Sequence, residues 1–207
     1  MALAGLAMLA LAGVPAHAAV IPGLYLTGVD ASGVRYTNDG VSDLHYVVNG
    51  LASPVTYKHP VYLNVSDAYW IAAEPGGAYT YNPNTFTLNF DLTGFDIATA
   101  TVSGLFAADN AIAVALNGGA YQFDSTGYST LSAFSFNTGF VQGINVLRFK
   151  LTDSGPPAAF VVSGLSGTAA VQSASSVPEP ASWAMMIGGL GLLGAMLRHR
   201  SRKIRPA

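Results

Sequence analysis

The sequence predicts an all-β protein, an antiparallel β-sandwich with an N-terminal signal peptide and one C-terminal transmembrane helix. Three observations predict it: hydrophobicity alternates with a period of two through the middle of the chain, turn-forming dipeptides recur about every ten residues, and an uncharged apolar run lies at each end. The chain has 207 residues, of which 51% are hydrophobic and 10% charged. This composition excludes intrinsic disorder, and the length fits one domain with terminal signals.

The N-terminal run is the first element along the chain. Residues 2–14 are apolar, Pro15 ends the run, and Ala16 and Ala18 are small residues at the spacing of a signal-peptidase site. We therefore predict a signal peptide over residues 1–18, with cleavage after Ala18. The alternative is an Ala/Leu-rich first helix of the fold, but that helix would have no polar face.

The central region, residues 19–170, is predicted to form the β-sandwich ectodomain. Its strands place apolar side chains on one face only, as antiparallel strands covering a core do. The clearest apolar series are Phe86, Leu88, Phe90 and Leu92, and Leu147, Phe149 and Leu151. Asn49-Gly50 and Asn117-Gly118 are typical of tight hairpin turns. The predicted strands are 24–28, 43–48, 61–65, 68–72, 85–92, 100–107, 111–116, 131–136, 145–152 and 159–171.

Charge is distributed unevenly along the chain. Five of the nine basic residues lie in the last ten positions, and the other four are set against eleven acids, which gives a formal charge of −7 before residue 198. Such an acidic body is repelled by phosphate backbones, so we expect no nucleic-acid binding. The absence of cysteine excludes disulfides, Cys-zinc sites and cysteine nucleophiles.

The C-terminal segment contains an uncharged run followed by a basic tail. Residues 171–177 read as a linker, residues 181–197 as a transmembrane helix about 25 Å long, and residues 198–207 as a stop sequence. The positive-inside rule places the tail in the cytoplasm and the ectodomain outside. The tail cations are Arg198, Arg200, Arg202, Lys203 and Arg205.

A short motif precedes the apolar run. Pro178, Glu179 and Pro180 are followed by Trp183, the glycine-rich run and the basic tail. This ordered set over residues 178–207 resembles the PEP-CTERM sorting signal. The resemblance implies processing by an exosortase, transient residence in the inner membrane of a Gram-negative bacterium, and release to the cell surface or extracellular matrix. It also implies an association with exopolysaccharide and biofilm.

A second resemblance lies within the body. The segments 90–95, 107–110, 115–118 and 143–147 are similar to jelly-roll modules of the galactose-binding-like kind. This likeness implies a fold, and a fold does not by itself transfer sugar binding.

Catalytic and metal motifs are sparse. After removal of the signal peptide only His45 and His59 remain before the C-terminal segment, and no nucleophile elbow or zinc-binding helix motif accompanies them. We therefore expect no enzymatic activity, with a polysaccharide-active hydrolase as a remote alternative. We expect no cofactor other than a candidate structural Ca²⁺ at Asp30, Asp39 and Asp43, three carboxylates close in sequence.

Aromatic residues supply the candidate binding surface. Tyrosines crowd residues 57–128, and aromatic faces that keep a polar edge suit sugar rings. The candidate carbohydrate contacts are Trp70, Tyr79, Tyr81 and Tyr121. The alternative for each is packing within the sheet, and Trp70 suits a buried position best. The sequence thus predicts an exported matrix protein that binds exopolysaccharide; the alternative is a structural or adhesive protein without a sugar site.

Overall fold

The computed structural model describes residues 17–172 and 180–202, and it describes the side chains of the C-terminal helix over 183–199. The chain divides into two compact units, with the boundary between Gln172 and Ser173. Most of the predicted signal peptide, including Ala16, lies outside the described residues. So do Pro178 and Glu179 and the tail residues Lys203 and Arg205.

Over residues 17–172, the first unit contains nine strands and one short 3-10 turn, Pro75–Gly77. The strands are β1 Ala18–Val20, β2 Tyr46–Val48, β3 Val55–Thr56, β4 Ile71–Ala72, β5 Asn84–Asp91, β6 Phe95–Leu116, β7 Gln122–Phe136, β8 Ile144–Thr152 and β9 Ala159–Val171. All pairings between them are antiparallel. This confirms the predicted all-β class.

The long strand β6 organises the sheet, whose order is β2-β5-β8-β6-β9-β4-β3, with β1 on β9 and β7 on β6. Residues 111–116 of β6 pair with β8, whereas residues 95–109 pair with β9. The strand therefore changes partners near Asp109 and Asn110. We call β2, β5, β8 and the second half of β6 the front layer, and β3, β4, β9 and the first half of β6 the back layer.

The two layers pack face to face. In the sheet order β9 is the third strand from β5, so a flat sheet would separate them by about 14 Å. Yet the rings of Phe86 on β5 and Phe160 on β9 have centroids 4.6 Å apart, and Phe149 on β8 lies 5.6 Å from Phe160. The sheet has thus folded back on itself around a shared core, which is the predicted sandwich.

The core follows from the period-two pattern. Phe86, Leu88 and Phe90 on β5 and Leu147 and Phe149 on β8 are all buried, while the residues between them face outward. A second cluster lies beneath the loop that precedes β4. It contains Tyr62, Val65, Ala68, Trp70, Ala72, Ala107, Ala159 and Val161.

Several strand predictions were wrong in detail. Residues 24–28 and 61–65 form loops. At the first, the Thr27 hydroxyl accepts a hydrogen bond from Val162 N, which replaces a ladder bond, and at the second Leu63 makes a single backbone bond to Tyr128 O. Residues 100–107 and 111–116 belong to one strand, because Asp109 and Asn110 mark a change of partner and not a turn.

The second unit contains helix α1, Pro180–Arg202. Its large apolar side chains are exposed along the described length, from Trp183 at 56% to Leu197 at 67%. Within the described residues, no helix combines the length and the hydropathy that crossing a bilayer requires. The membrane span predicted over residues 181–197 therefore stays a prediction.

Candidate functional site

The outer surface of the front layer carries the candidate site. On β5, Thr85 and Thr87 point away from the core, and the strand register places them opposite Lys150 and Arg148 of β8. Val47 of β2 lies opposite Thr87 and is 40% exposed. Directly opposed side chains on one face lie about 5 Å apart, so these five residues form a continuous surface, which we call the front face.

A groove opens at one edge of the front face. Tyr81, which is 52% exposed, lines it together with Leu51, Thr85, Thr87 and neighbouring residues. The groove therefore combines an accessible aromatic ring with threonine hydroxyls on the adjacent strand.

A pair of asparagines holds this edge in place. Asn49 Nδ2 donates a hydrogen bond of 2.7 Å to Asn84 Oδ1, and Asn49 Oδ1 accepts one of 2.8 Å from Thr85 N. Asn49 has the left-handed φ of 51° that the predicted Asn-Gly turn requires, and Gly50 follows with 69°. Local turn chemistry thus positions the groove next to β5.

Tyr121 bounds the other side of the front face. It lies between the Asn117-Gly118 turn and β7, and Lys150 Nζ is 4.6 Å from its ring centroid. A cation over a tyrosine face is attracted by about 0.5–1 kcal/mol at an exposed position. Because Lys150 is opposite Thr85, one row across the strands runs from Tyr81 through Thr85 and Lys150 to Tyr121.

Two of the four predicted aromatic contacts therefore belong to this surface and two do not. Trp70 is fully buried, and its Nε1 donates to Leu63 O, so its ring cannot stack on a ligand in solvent. This corrects the expectation for Trp70. Tyr79 is half-buried and packs against the main core. Burial, followed by the charge of Asp153, raises the pKa of Tyr79.

The candidate calcium ligands do not converge. Asp30 Oδ1 accepts from two backbone N–H groups of its own turn, and Asp39 Oδ1 accepts from Lys58 N and the Tyr69 hydroxyl. Asp43 is buried and holds other backbone groups. Over residues 17–172 and 180–202, no three His, Cys, Asp or Glu side chains are grouped to hold a metal ion. Each of the three carboxylates therefore accepts hydrogen bonds that hold a loop.

The histidines also have structural partners. The His45 ring stacks on Tyr25 with centroids 3.6 Å apart, and its Nε2 is 3.0 Å from Asp30 O. The His59 ring packs 5.4 Å from that of Tyr62. Among the described residues neither ring is hydrogen-bonded to a serine hydroxyl or a carboxylate.

A second aromatic surface lies over the back layer. The Tyr62 hydroxyl donates to Asp109 Oδ2 at 2.8 Å, and its ring is 5.5 Å from that of Tyr128, which is 37% exposed. Burial, together with the bond to Asp109, raises the pKa of Tyr62 far above its usual value. The neutral phenol is thus a fixed donor to Asp109, and the cluster is largely occupied by its own packing.

A known protein-family motif matches the C-terminal segment. Residues 176–203 match the PEP-CTERM protein-sorting motif. The chain carries a PEP-CTERM sorting signal. It marks an exported protein sorted by an exosortase, as the resemblance predicted. No curated protein matches the chain.

Several solved structures resemble part of this chain. A family 35 carbohydrate-binding module from Paenibacillus barcinonensis has a TM-score of 0.35 at 14% identity, covering 62% of this chain and 99% of its own. One from Cellvibrio japonicus Abf62 has 0.37 at 14%, covering 76% and 100%. A family 29 module from Piromyces equi has 0.38 at 7%, covering 75% and 91%. At these values the likeness does not extend to a ligand.

The PEP-CTERM signal accounts for the sorting residues that the sequence singles out. The match includes Pro178, Glu179, Pro180 and Trp183, and it ends at Lys203. Of these, Trp183 lies exposed in the first turns of α1. Arg200 and Arg202 lie in the last turn of the same helix.

The sequence prediction missed Arg148 and Lys150 as site residues. They are two of the four cations before the tail, and they alternate with buried Leu147, Phe149 and Leu151 along β8. That alternation placed them on an outward face. The alternation does not identify the neighbouring strand. Only the strand register shows that Thr85 and Thr87 lie opposite Lys150 and Arg148.

Proposed function

We propose that this protein is exported, processed by an exosortase and retained at the cell surface or in the extracellular matrix of a Gram-negative bacterium, where it binds polysaccharide without catalysing a reaction. The front face is the binding surface. The observation that carries the proposal is the row from Tyr81 to Tyr121, in which the exposed Tyr81 and the partly exposed Tyr121 flank threonine and basic side chains on the sheet.

The chemistry of this row suits a sugar polymer. A pyranose ring has an apolar face that packs on an aromatic ring and hydroxyls that exchange hydrogen bonds with polar side chains. Tyr81 supplies the ring, and Thr85 and Thr87 supply hydroxyls beside it.

The C-terminal unit supports the proposed location. The exposed apolar side chains of α1 are unfavourable in water and need a covering environment. A membrane or a membrane-bound processing enzyme supplies it until the segment is removed. We propose that the inner membrane holds the protein only transiently, before cleavage near Pro178–Pro180.

The test measures binding of the full chain, purified in mild detergent, to four soluble polysaccharides: alginate, polygalacturonate, dextran and galactan. We expect saturable binding to at least one of them, and Tyr81→Ala should weaken it about fivefold or more through loss of ring contact. Tyr128→Ala is the matched control, because this exposed tyrosine lies on β7 in the aromatic cluster over the back layer.

Two outcomes would overturn the proposal. If none of the four polymers binds, the protein is a structural or adhesive component without a sugar site. If binding is lost with Tyr128→Ala and kept with Tyr81→Ala, the binding surface is the aromatic cluster of the back layer. Circular dichroism of each variant verifies that the fold is intact.

A further inference from the structure

We infer that the front face selects acidic polysaccharides, whose sugars carry carboxylates, over neutral ones. The inference rests on the proposed function and adds the charge class of the ligand. It is drawn from the charge of Arg148 and Lys150, which binding of a neutral polysaccharide would not require.

The first step concerns where the positive charge of the body lies. Only four Lys and Arg precede the tail, and the chain before residue 198 has a formal charge of −7. Arg35 donates its Nε to Ala68 O and stacks on Tyr69, which ties it to a loop. Arg148 and Lys150 are two residues apart on one strand face, about 7 Å from each other. The front face thus concentrates half of the body's positive charge.

The second step concerns what neutralises these two cations. Within the described residues, no carboxylate lies within ion-pair distance of Arg148 or Lys150. Lys150 lies against the Tyr121 ring, which leaves its ammonium able to bind an anion. Two cations without a neighbouring acid create a local positive potential on an otherwise acidic body, and this potential favours an anionic partner.

The third step concerns nearby acids. Asp124 of β7 and Lys150 of β8 both pair with Ala113, so Asp124 is two strands, or about 10 Å, from Lys150. That separation is about one Debye length at 0.1 M salt, which weakens its effect. Asp91 lies four residues along β5 from Thr87, about 13 Å, and its carboxylate is engaged by Thr93.

The chemistry of the two cations fits a carboxylate on a sugar ring. The guanidinium of Arg148 can donate two parallel hydrogen bonds to one carboxylate, and Lys150 adds a compact charge 7 Å along the strand, a distance estimated from about two residue rises. Thr87 and Thr85, opposite these cations, are in reach of the neighbouring hydroxyls. The tyrosines at both ends then contact ring faces.

The experiment uses the same full chain and the same four polymers, and compares the acidic alginate and polygalacturonate with the neutral dextran and galactan. Arg148→Gln and Lys150→Gln should each weaken binding of the acidic polymers about two- to fivefold. Lys58→Gln is the control for charge, because it removes one body cation away from the front face. Asp124→Asn should strengthen acidic binding, since it removes a carboxylate about two strands, or about 10 Å, from Lys150.

Salt gives a second readout. Binding of the acidic polymers should weaken as sodium chloride is raised from about 0.05 M to about 0.5 M, because the contacts are electrostatic. The decrease should be smaller in Arg148→Gln and Lys150→Gln, because each variant lacks one front-face cation while the basic tail is unchanged. If neutral polymers bind as tightly as acidic ones, or if Arg148→Gln and Lys150→Gln act no more strongly than Lys58→Gln, the inference is overturned. In that case sensitivity of neutral-polymer binding to Tyr81→Ala would leave the proposed function intact, whereas no binding to any polymer would refute both.

Discussion

At the residue scale, Asp43 was a candidate metal ligand in the sequence. In the structure its carboxylate holds a loop by accepting hydrogen bonds from the backbone. Its Oδ2 accepts a hydrogen bond of 2.7 Å from Gly28 N, and its Oδ1 accepts one of 2.9 Å from His45 N. Gly28 has a φ of +61°, and a Cβ there would lie 2.5 Å from Tyr69 Cβ. The carboxylate therefore ties down a loop that only glycine can form. Burial raises the pKa of Asp43, and the backbone bonds oppose that shift.

We predict that Asp43→Asn lowers the free energy of unfolding by about 1–3 kcal/mol at pH 7, because an amide has one acceptor oxygen for two buried N–H groups. Because the pKa of folded Asp43 is raised above 3.8, protonation of this carboxyl stabilises the fold. This contribution to stability is fully present below pH 3.8 and is lost as the pH rises through the folded pKa. The variant lacks this contribution, so the difference in the free energy of unfolding between it and the natural protein should grow from pH 7 to pH 4. Urea titrations at both pH values measure it.

Asp124→Asn is the matched control for this change, because Asp124 is exposed on β7. We expect its stability to stay within about 0.5 kcal/mol of the natural protein at pH 7. Equal stability of the Asp43 and Asp124 variants would show that the two buried bonds do not hold the loop.

At the scale of elements, Asn145 joins the β6–β7 turn to the start of β8. The side chain is fully buried, and its Nδ2 donates to Val141 O and Gly143 O. Its Oδ1 accepts from Asn117 Nδ2 at 2.6 Å and from Val141 N at 2.9 Å. The four bonds hold three chain segments where β8 enters the sheet, and they set the register that presents Arg148 and Lys150.

Asn145→Ala should lower the free energy of unfolding by about 2–3 kcal/mol, since it leaves several buried donors and acceptors without partners. Asn89→Ala is the matched control, because this asparagine of β5 is exposed, and it should cost less than about 1 kcal/mol of unfolding free energy. Thermal and urea unfolding of both variants measure the difference. A cost for Asn145→Ala no greater than that for Asn89→Ala would contradict the role of this network.

The elements also show what could be predicted from sequence. Residues 145–152 and 159–171 were predicted almost to the residue. The first segment alternates apolar and polar side chains against the core, and the second begins with five consecutive buried residues before it alternates. β7 was predicted from 131 and begins at 122, since its first half lies at a sheet edge and lacks a buried face to impose the pattern. The front face needed pairing between β5 and β8, which is a long-range property. Tyr81 and Tyr121 were predicted from residue type alone.

At the scale of the whole molecule, the sorting signal and the proposed binding surface lie in separate segments of the chain. The acidic body carries the front face, and the sorting signal gathers five of nine cations and an apolar helix into residues 181–207. The basic tail would attract the same acidic polymers that we assign to Arg148 and Lys150. The tail is the same in every variant of the full chain, so the differences between Arg148→Gln, Lys150→Gln and Lys58→Gln report on the front face.

We predict that the mature exported protein begins at Ala19 and lacks both Trp183 and the basic tail. Glu179→Ala should block this processing, because it alters the motif that the exosortase is expected to recognise, and should leave the uncut chain in the membrane fraction. Glu74→Ala is the matched control, as Glu74 is the other glutamate of the chain and lies in the body. Intact-mass spectrometry of surface and membrane fractions measures the products. A mature natural protein that still carries Trp183, or a Glu179→Ala variant cut like the Glu74→Ala control, would refute the assignment of the sorting motif as the cleavage signal.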